Sequence, residues 1–332
     1  MAGPPRAVAV LRHAVRRGLR ESAQPVLVAC SGGADSVSLA AALAFESRDA
    51  GVRVGGVTVD HGLQPGSAER ADRTGELLRD LGLDPVVVLS AKVGEEGGPE
   101  AAARTARYAV LAGAAEQHGA RIALGHTLDD QAETVLLGLG RGSGPRSLAG
   151  MVEDRPPYWR PLLGIRREAT RQACADQGLP VWDDPWNTDP AYTRVRLRTE
   201  VLPLLEEVLG GGVAPALART AAQVREDLDA LDHLAAAPGA HQLEELPVGD
   251  VVGLPPALRR RVLRLWLLAG RVPDLQAVHI TSVDALVAGW RGQGRVDLPG
   301  GGGVVRTSGR LVLQPPGAGE GAHPSSSEEP HP

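Results

Sequence analysis

Through roughly the first 140 residues, short apolar runs alternate with longer stretches that mix alanine, leucine and charge. "VLVAC" (26–30), "VRVGGVTVD" (52–60), "PVVVLS" (85–90) and "RIALG" (121–125) have the length and composition of buried strands. Segments 35–44, 67–82, 99–118 and 129–140 lie between or after them and are rich in helix formers. The first 21 residues, with arginines interrupting every apolar run, read as a short helix of mixed polarity. Strands buried on both faces and joined through helices predict a parallel sheet with right-handed crossovers. Ligands of such sheets bind beyond the carboxyl ends of the strands. "CSGGADS", "DHGLQPGS" and "GHTLDDQAE" each directly follow a strand, so all three are expected on one edge.

The alternation then changes. Segment 160–207 predicts helices flanking an ordered loop rich in proline and tryptophan, and the triplet "GGG" at 210–212 suggests a boundary. Helical patterns follow at 213–238, 255–269 and 276–290, and "GRVDLPGGGGVVRTSGRLVLQ" alternates like short strands with glycine turns. The expectation is an α/β, Rossmann-like domain over 1–209 and a smaller helical and β domain over 210–315. A tail over 316–332 has almost nothing to bury.

A chain of 332 residues suits two domains better than one core. Its net charge of −5 gives no global signature of nucleic-acid binding, so an RNA partner would have to use a local basic surface. Two cysteines, Cys30 and Cys174, make neither a disulfide framework nor a zinc site. No signal peptide or apolar run of bilayer length is visible, which points to the cytoplasm and away from membranes.

In "SGGADS", Gly32 and Gly33 let backbone N–H groups approach an anion, and the following helix aims its dipole at the same point. Ser31 and Ser36 add hydroxyls. The loop has neither the spacing nor the lysine of a Walker A motif; a capped turn is the alternative for the bare string, and its position directly after the first strand weighs against that alternative. In "GHTLDDQAET", Asp130 and Glu133 share a helix face, with His126 just ahead. Dipole pairing in a first helical turn explains Asp129 alone, but explains that trio less well. Two carboxylates facing bound phosphates suit Mg²⁺. "EAAARTARY" spaces Glu100, Arg104 and Arg107 at helical intervals beside Tyr108. That is either an exposed salt-bridge face or an arginine poised over a phosphate.

Together, "SGGADS", "VDHGLQPGS", "EAAARTARY", "GHTLDDQAETVLLGLGRGSG", "RPLL" and "DDPWNTDPAYTRVRLRTEVLPLL" resemble the tRNA(Ile)-lysidine synthetase family. That family belongs to the PP-loop, or N-type ATP pyrophosphatase, superfamily, and this chain resembles its shorter members. The resemblance covers about residues 22–207 closely, and "LPPALRRRVLRLWL" and "GWRGQGRVDLPGG" less distinctively.

It implies that ATP adenylates the C2 carbonyl oxygen of the wobble cytidine in a CAU-anticodon isoleucine tRNA. The ε-amino group of free L-lysine then displaces AMP. By resemblance, Ser31, Gly32, Gly33, Ala34, Asp35 and Ser36 hold the pyrophosphate portion of ATP, and Asp35 and Asp130 are the Mg²⁺ carboxylates. His126 and Glu133 fall near the ATP and lysine sites, and Arg104 or Arg107 faces the adenylate. Arg194, Arg196 and Arg198 are expected near the tRNA. They would lie on one face if the run is a strand and spread if it is a helix. Arg259, Arg260, Arg261 and Arg264 offer a second, weaker surface for the tRNA backbone.

Two departures from the family pattern stand out. "RVRLR" replaces an asparagine-containing run, and Gln64 stands where an arginine is frequent. Another PP-loop tRNA-modifying enzyme, such as a base thiolase, is the alternative, and the lack of paired cysteines disfavours it. A homodimer is left open.

Overall fold

A computed structural model describes residues 3–317 except 63, 92–93, 95–98, 143, 237–238 and 240–243. The chain forms two compact units that divide between Val224 and Arg225. The expected tail lies, from residue 318 onward, outside the described residues.

The first unit is built on β1 (Val26–Ala29), β2 (Val54–Asp60), β3 (Val86–Ser90) and β4 (Arg121–Leu124). All four are parallel in the order β3-β2-β1-β4, with Val26 level with both Val54 and Arg121. The connecting helices are α2 (Ala34–Ala50), α3 (Ser67–Asp80) and α4 (Pro99–His118), and α5 (Leu128–Gly140) follows β4. Because β2 and β4 lie on opposite sides of β1, the strand order reverses there. The crevice beyond the carboxyl ends of β1 and β4 is therefore the topological switch point.

One feature was not visible in the hydrophobic pattern. A hairpin of two-residue strands, β5 (Asp154–Arg155) and β6 (Tyr158–Trp159), extends the sheet beyond β4. Its "DRPPYW" sequence is too short and proline-rich to alternate. The N-terminal helix α1 (Arg6–Glu21) is sharply amphipathic, burying Val8, Leu11, Val15 and Leu19. Its Arg16 reaches Glu46 of α2 at 2.7 Å. Leu39, Leu43 and Trp159 join that stripe in one core, while Leu111, Ala114 and Ala115 of α4 cover Leu27, Val57 and Ile122 on the sheet's other side. Covering both faces is what allows the strands to be continuous apolar runs.

Helix α6 (Pro145–Leu148) precedes the hairpin, and α7 (Arg167–Asp176) and a loop with one tight turn at Pro185–Thr188 follow it. The next stretch is α8 (Thr193–Arg196), a π turn at Leu197–Val201 and α9 (Leu202–Val208). "RVRLR" is thus helical, and its arginines spread. Val195 is buried where the family pattern has an amide. Helix α10 (Val213–Ala236) begins just after the glycine triplet. The units divide within it, and not at the triplet. No single described helix is long and apolar enough to cross a membrane.

In the second unit, β7 (Glu245–Pro247), α11 (Gly249–Val252), α12 (Pro256–Ala269) and α13 (Ala277–Ala288) precede β8 (Val296–Asp297), β9 (Gly303–Thr307) and β10 (Arg310–Gln314). The strands form an antiparallel sheet in the order β7-β10-β9-β8. Val262, Leu263 and Trp266 pack on Val283, Leu286, Val304 and Leu311. The arginine run of α12 is largely committed internally, contrary to the expected RNA surface. Arg259 is buried against Asp284, Arg260 reaches the same carboxylate at 2.9 Å, and Arg261 holds Asp232 at 3.0 Å. A carboxylate buried as deeply as Asp284 needs such partners, and two guanidiniums overcome its burial and hold it below the usual range.

Candidate active site

The loop between β1 and α2 is a tight structure braced by one hydroxyl. Ser36 is buried, donates to the Gly33 carbonyl at 2.9 Å and accepts from the Ser31 N–H at 3.1 Å. Gly32 has a φ of 86°, a conformation that favours glycine, and its carbonyl accepts the N–H of Trp182 at 2.9 Å. Gly33 then caps α2, so the helix opens on Ala34 and Asp35 with first-turn N–H groups lacking intrahelical partners. The loop from β4 to α5 comes close to that turn. A Cβ built on Gly125 would lie 2.9 Å from the Asp35 carbonyl oxygen, so only glycine fits this approach.

Helix α5 starts with a capping box between Thr127 and Asp130. One carboxylate oxygen of Asp130 accepts from the Thr127 N–H and hydroxyl, both at 2.8 Å, which leaves the other oxygen to face the crevice. Asp130 therefore is a helix cap and also a crevice carboxylate. Asp129 is a structural tie, holding Arg166 at 3.0 Å and accepting the Arg167 N–H at 2.7 Å.

That tie positions the residue at the centre of the site, which the sequence reading missed. Arg167, in the first turn of α7, reaches Asp130 at 2.6 Å, Asp35 at 3.3 Å and Glu133 at 3.4 Å. Glu133 is fully buried and also meets Arg198 at 2.8 Å, and Thr170 donates to Asp35. Asp35, Asp130 and Glu133 are thus brought together around one guanidinium. A signal for Arg167 did exist. Two arginines at the start of a helix oppose its dipole, which marks them as held by something acidic.

The electrostatics follow from crowding. Burial, with a contribution from Asp130, raises the Asp35 carboxyl above the usual range despite Thr170 and Arg167. Burial acts on Asp130 too, but Arg167 and the cap hydrogen bonds outweigh it and hold this carboxyl low. Among the expected basic residues, Arg104 lies 4.9 Å over the Tyr108 ring, with Arg107 5.7 Å from it. Arg107 feels the charges of Arg104 and Arg194. Arg198 belongs to the carboxylate cluster, whereas Arg196 points outward to Glu200 at 2.9 Å. The side chain of Glu100 lies outside the described residues.

His126, after β4, has a buried Nδ1 without a hydrogen-bond partner among the described residues. Burial, together with the positive charges of Arg160, Arg104 and Arg107, pushes its pKa down to about 3 against the pull of Asp130. Between pH 6.5 and about 3 the unfolded chain therefore binds the extra proton, so stability rises with pH across that window. Thermal unfolding between about pH 5 and 6.5, above the carboxylate range, is expected to give a steeper rise in Tm for the wild type than for His126→Asn. Equal slopes would contradict a neutral, desolvated His126.

The fold, the glycine-bearing loop after β1 and the carboxylates at the switch point define a PP-loop ATP-utilising protein. Residues 7–205 match the PP-loop domain family, and residues 246–312 match the TilS substrate-binding domain. The tRNA(Ile)-lysidine synthase of Streptomyces coelicolor is 55% identical, covering 94% of this chain and 99% of that protein. That of Thermobifida fusca is 53% identical with the same coverage. The chain belongs to the tRNA(Ile)-lysidine synthase family. A solved structure, the U34-tRNA thiolase of Methanococcus maripaludis with its [4Fe-4S] cluster, shares the fold. It has a TM-score of 0.56 and 18% identity over 66% of this chain and 80% of that one. The thiolase reading is not favoured here. Both cysteines are buried, burial raises both thiols (Cys174 to about 11), and two are too few to ligate such a cluster.

Proposed function

We propose that the protein ligates free L-lysine to C2 of the wobble cytidine of a CAU-anticodon isoleucine tRNA, consuming ATP and releasing AMP and pyrophosphate. The observation that carries this reading is the meeting of Asp35, Asp130 and Glu133 beside the Ser31–Ser36 loop, in a chain of this family. In the proposed reaction the cytidine O2 attacks the α-phosphorus and pyrophosphate leaves. The lysine ε-nitrogen then bonds to C2, the C2–O bond breaks, and AMP departs with that oxygen.

The loop amides and the α2 dipole suit the pyrophosphate portion of ATP. Arg104 and Arg107, whose charges reach His126, and Arg194, whose charge reaches Arg107, suit the charge of the adenylate. Glu133, whose present partners are the guanidiniums of Arg167 and Arg198, suits an ammonium group of lysine in their place. Arg196 remains available to a tRNA phosphate at the surface. Asp35 and Asp130 aim hard oxygen donors at one guanidinium, a donor set that fits Mg²⁺. When bound, that ion would offset the charge of the phosphates. The reading places the protein in the cytoplasm, with tRNA and free lysine.

The test is incubation with ATP, Mg²⁺, radiolabelled lysine and an isoleucine tRNA transcript with a CAU anticodon. Lysine-dependent label in the tRNA is expected. Unlabelled tRNA under conditions where it binds would overturn the assignment, and sulfur incorporation from a donor would point to the thiolase.

A further inference from the structure

Aromatic side chains are scarce in this chain, which has five tryptophans, three tyrosines and one phenylalanine. Three of them, Trp182, Trp186 and Tyr192, nevertheless fall in the single loop between α7 and α8. This loop is fastened beside the PP-loop. Trp182 donates its N–H to Gly32, and Asp184 accepts from the Gln64 side chain at 3.1 Å. Gln64 in turn accepts from Arg70 at 2.9 Å, and the Arg70 guanidinium lies 4.5 Å over the Trp182 ring. An arginine at position 64 could not accept that hydrogen bond, so the departure from the family pattern has a local reason here.

Further out, His61 from the loop after β2 stacks on Trp186 with centroids 6.4 Å apart and rings 16° from parallel. Trp186 continues to Tyr192 at 5.8 Å and 34°. All three rings are half-buried and none belongs to an apolar core cluster. Core packing therefore does not explain them. None is used by the chemistry set out above.

We infer that His61, Trp186 and Tyr192 form a stacking ledge for an unpaired RNA base that flanks the reacting base in the anticodon loop. The inference rests on the proposed function for the identity of the RNA. Aromatic faces beside cationic side chains are the surface that binds single-stranded bases regardless of sequence. Arg70 lies over Trp182, four residues before Trp186 in the same loop, and Arg194 follows Tyr192 by two residues. The adenine of ATP offers the same chemistry from another source, and the experiment separates the two.

Full-length protein is titrated, without ATP or lysine, with a CAU-anticodon stem-loop carrying 2-aminopurine next to the wobble position. Quenching is expected with wild type. Trp186→Ala is expected to raise the RNA Kd at least about 5-fold and remove most of the quench, and Trp186→Phe to recover both. ATP affinity and Tm should be unchanged in both variants. Several results would overturn the ledge: wild type that neither binds nor quenches this RNA, Trp186→Ala binding it like wild type, or a loss confined to ATP affinity, which assigns the rings to adenine. Failure of Trp186→Phe to recover, together with a lowered Tm, would assign Trp186 to loop packing and overturn it as well. Wild type that binds and quenches yet makes no lysidine defeats the proposed function and leaves the ledge standing.

Discussion

Asp130→Asn is expected to lower lysine incorporation by roughly 10²–10³-fold, the scale lost when one preorganised electrostatic group is removed from an active site. The fold should survive. Asparagine can still accept from Thr127 and keep the α5 cap, while the charge directed at Arg167 and the crevice is lost. Asp130→Ala removes both functions and should cost about a further 1 kcal/mol of stability for the cap. Initial rates of label transfer to tRNA, read beside thermal unfolding, separate the two contributions. An asparagine variant within tenfold of wild type would remove Asp130 from the chemistry and leave it a cap.

Arg167→Ala is expected to have the largest effect on stability. Removing one partner of a buried ion pair commonly costs about 3–5 kcal/mol because the other charge is stranded. Here Arg198 still reaches Glu133 and, at 3.6 Å, Asp130, and Arg167 is itself 18% exposed. A loss of about 2–3 kcal/mol is therefore expected, or roughly 5–10 °C in Tm for a unit of this size. Asp35→Asn should restore part of it in the double variant, because one of the stranded carboxylates is then neutral. Strictly additive losses would show that Arg167 and Asp35 are not coupled.

Much of the site was legible because its parts are local. The loop residues Ser31 to Ser36 sit between a strand and a helix, and Asp130 and Glu133 are one helical turn apart. Both features are written in adjacent residues. Arg167 and Thr170 were not legible in the same way. Their partners are more than thirty positions away, at Asp130 and Glu133, or more than a hundred, at Asp35. The arginines of α12 misled for a related reason. A run of guanidiniums looks like a surface until Asp284 and Asp232, on other helices, are brought against it.

By itself the sequence determined the parallel sheet, its helices and the loops gathered at the carboxyl edge, because strand and helix periods and glycine turns are short-range properties. The assignment of arginines to partners was decided only by tertiary structure. A guanidinium's pairing depends on which carboxylate is buried within its reach, and burial is set by packing between distant segments. The same holds for the row of His61, Trp186 and Tyr192, where two loops far apart in sequence meet beside the PP-loop.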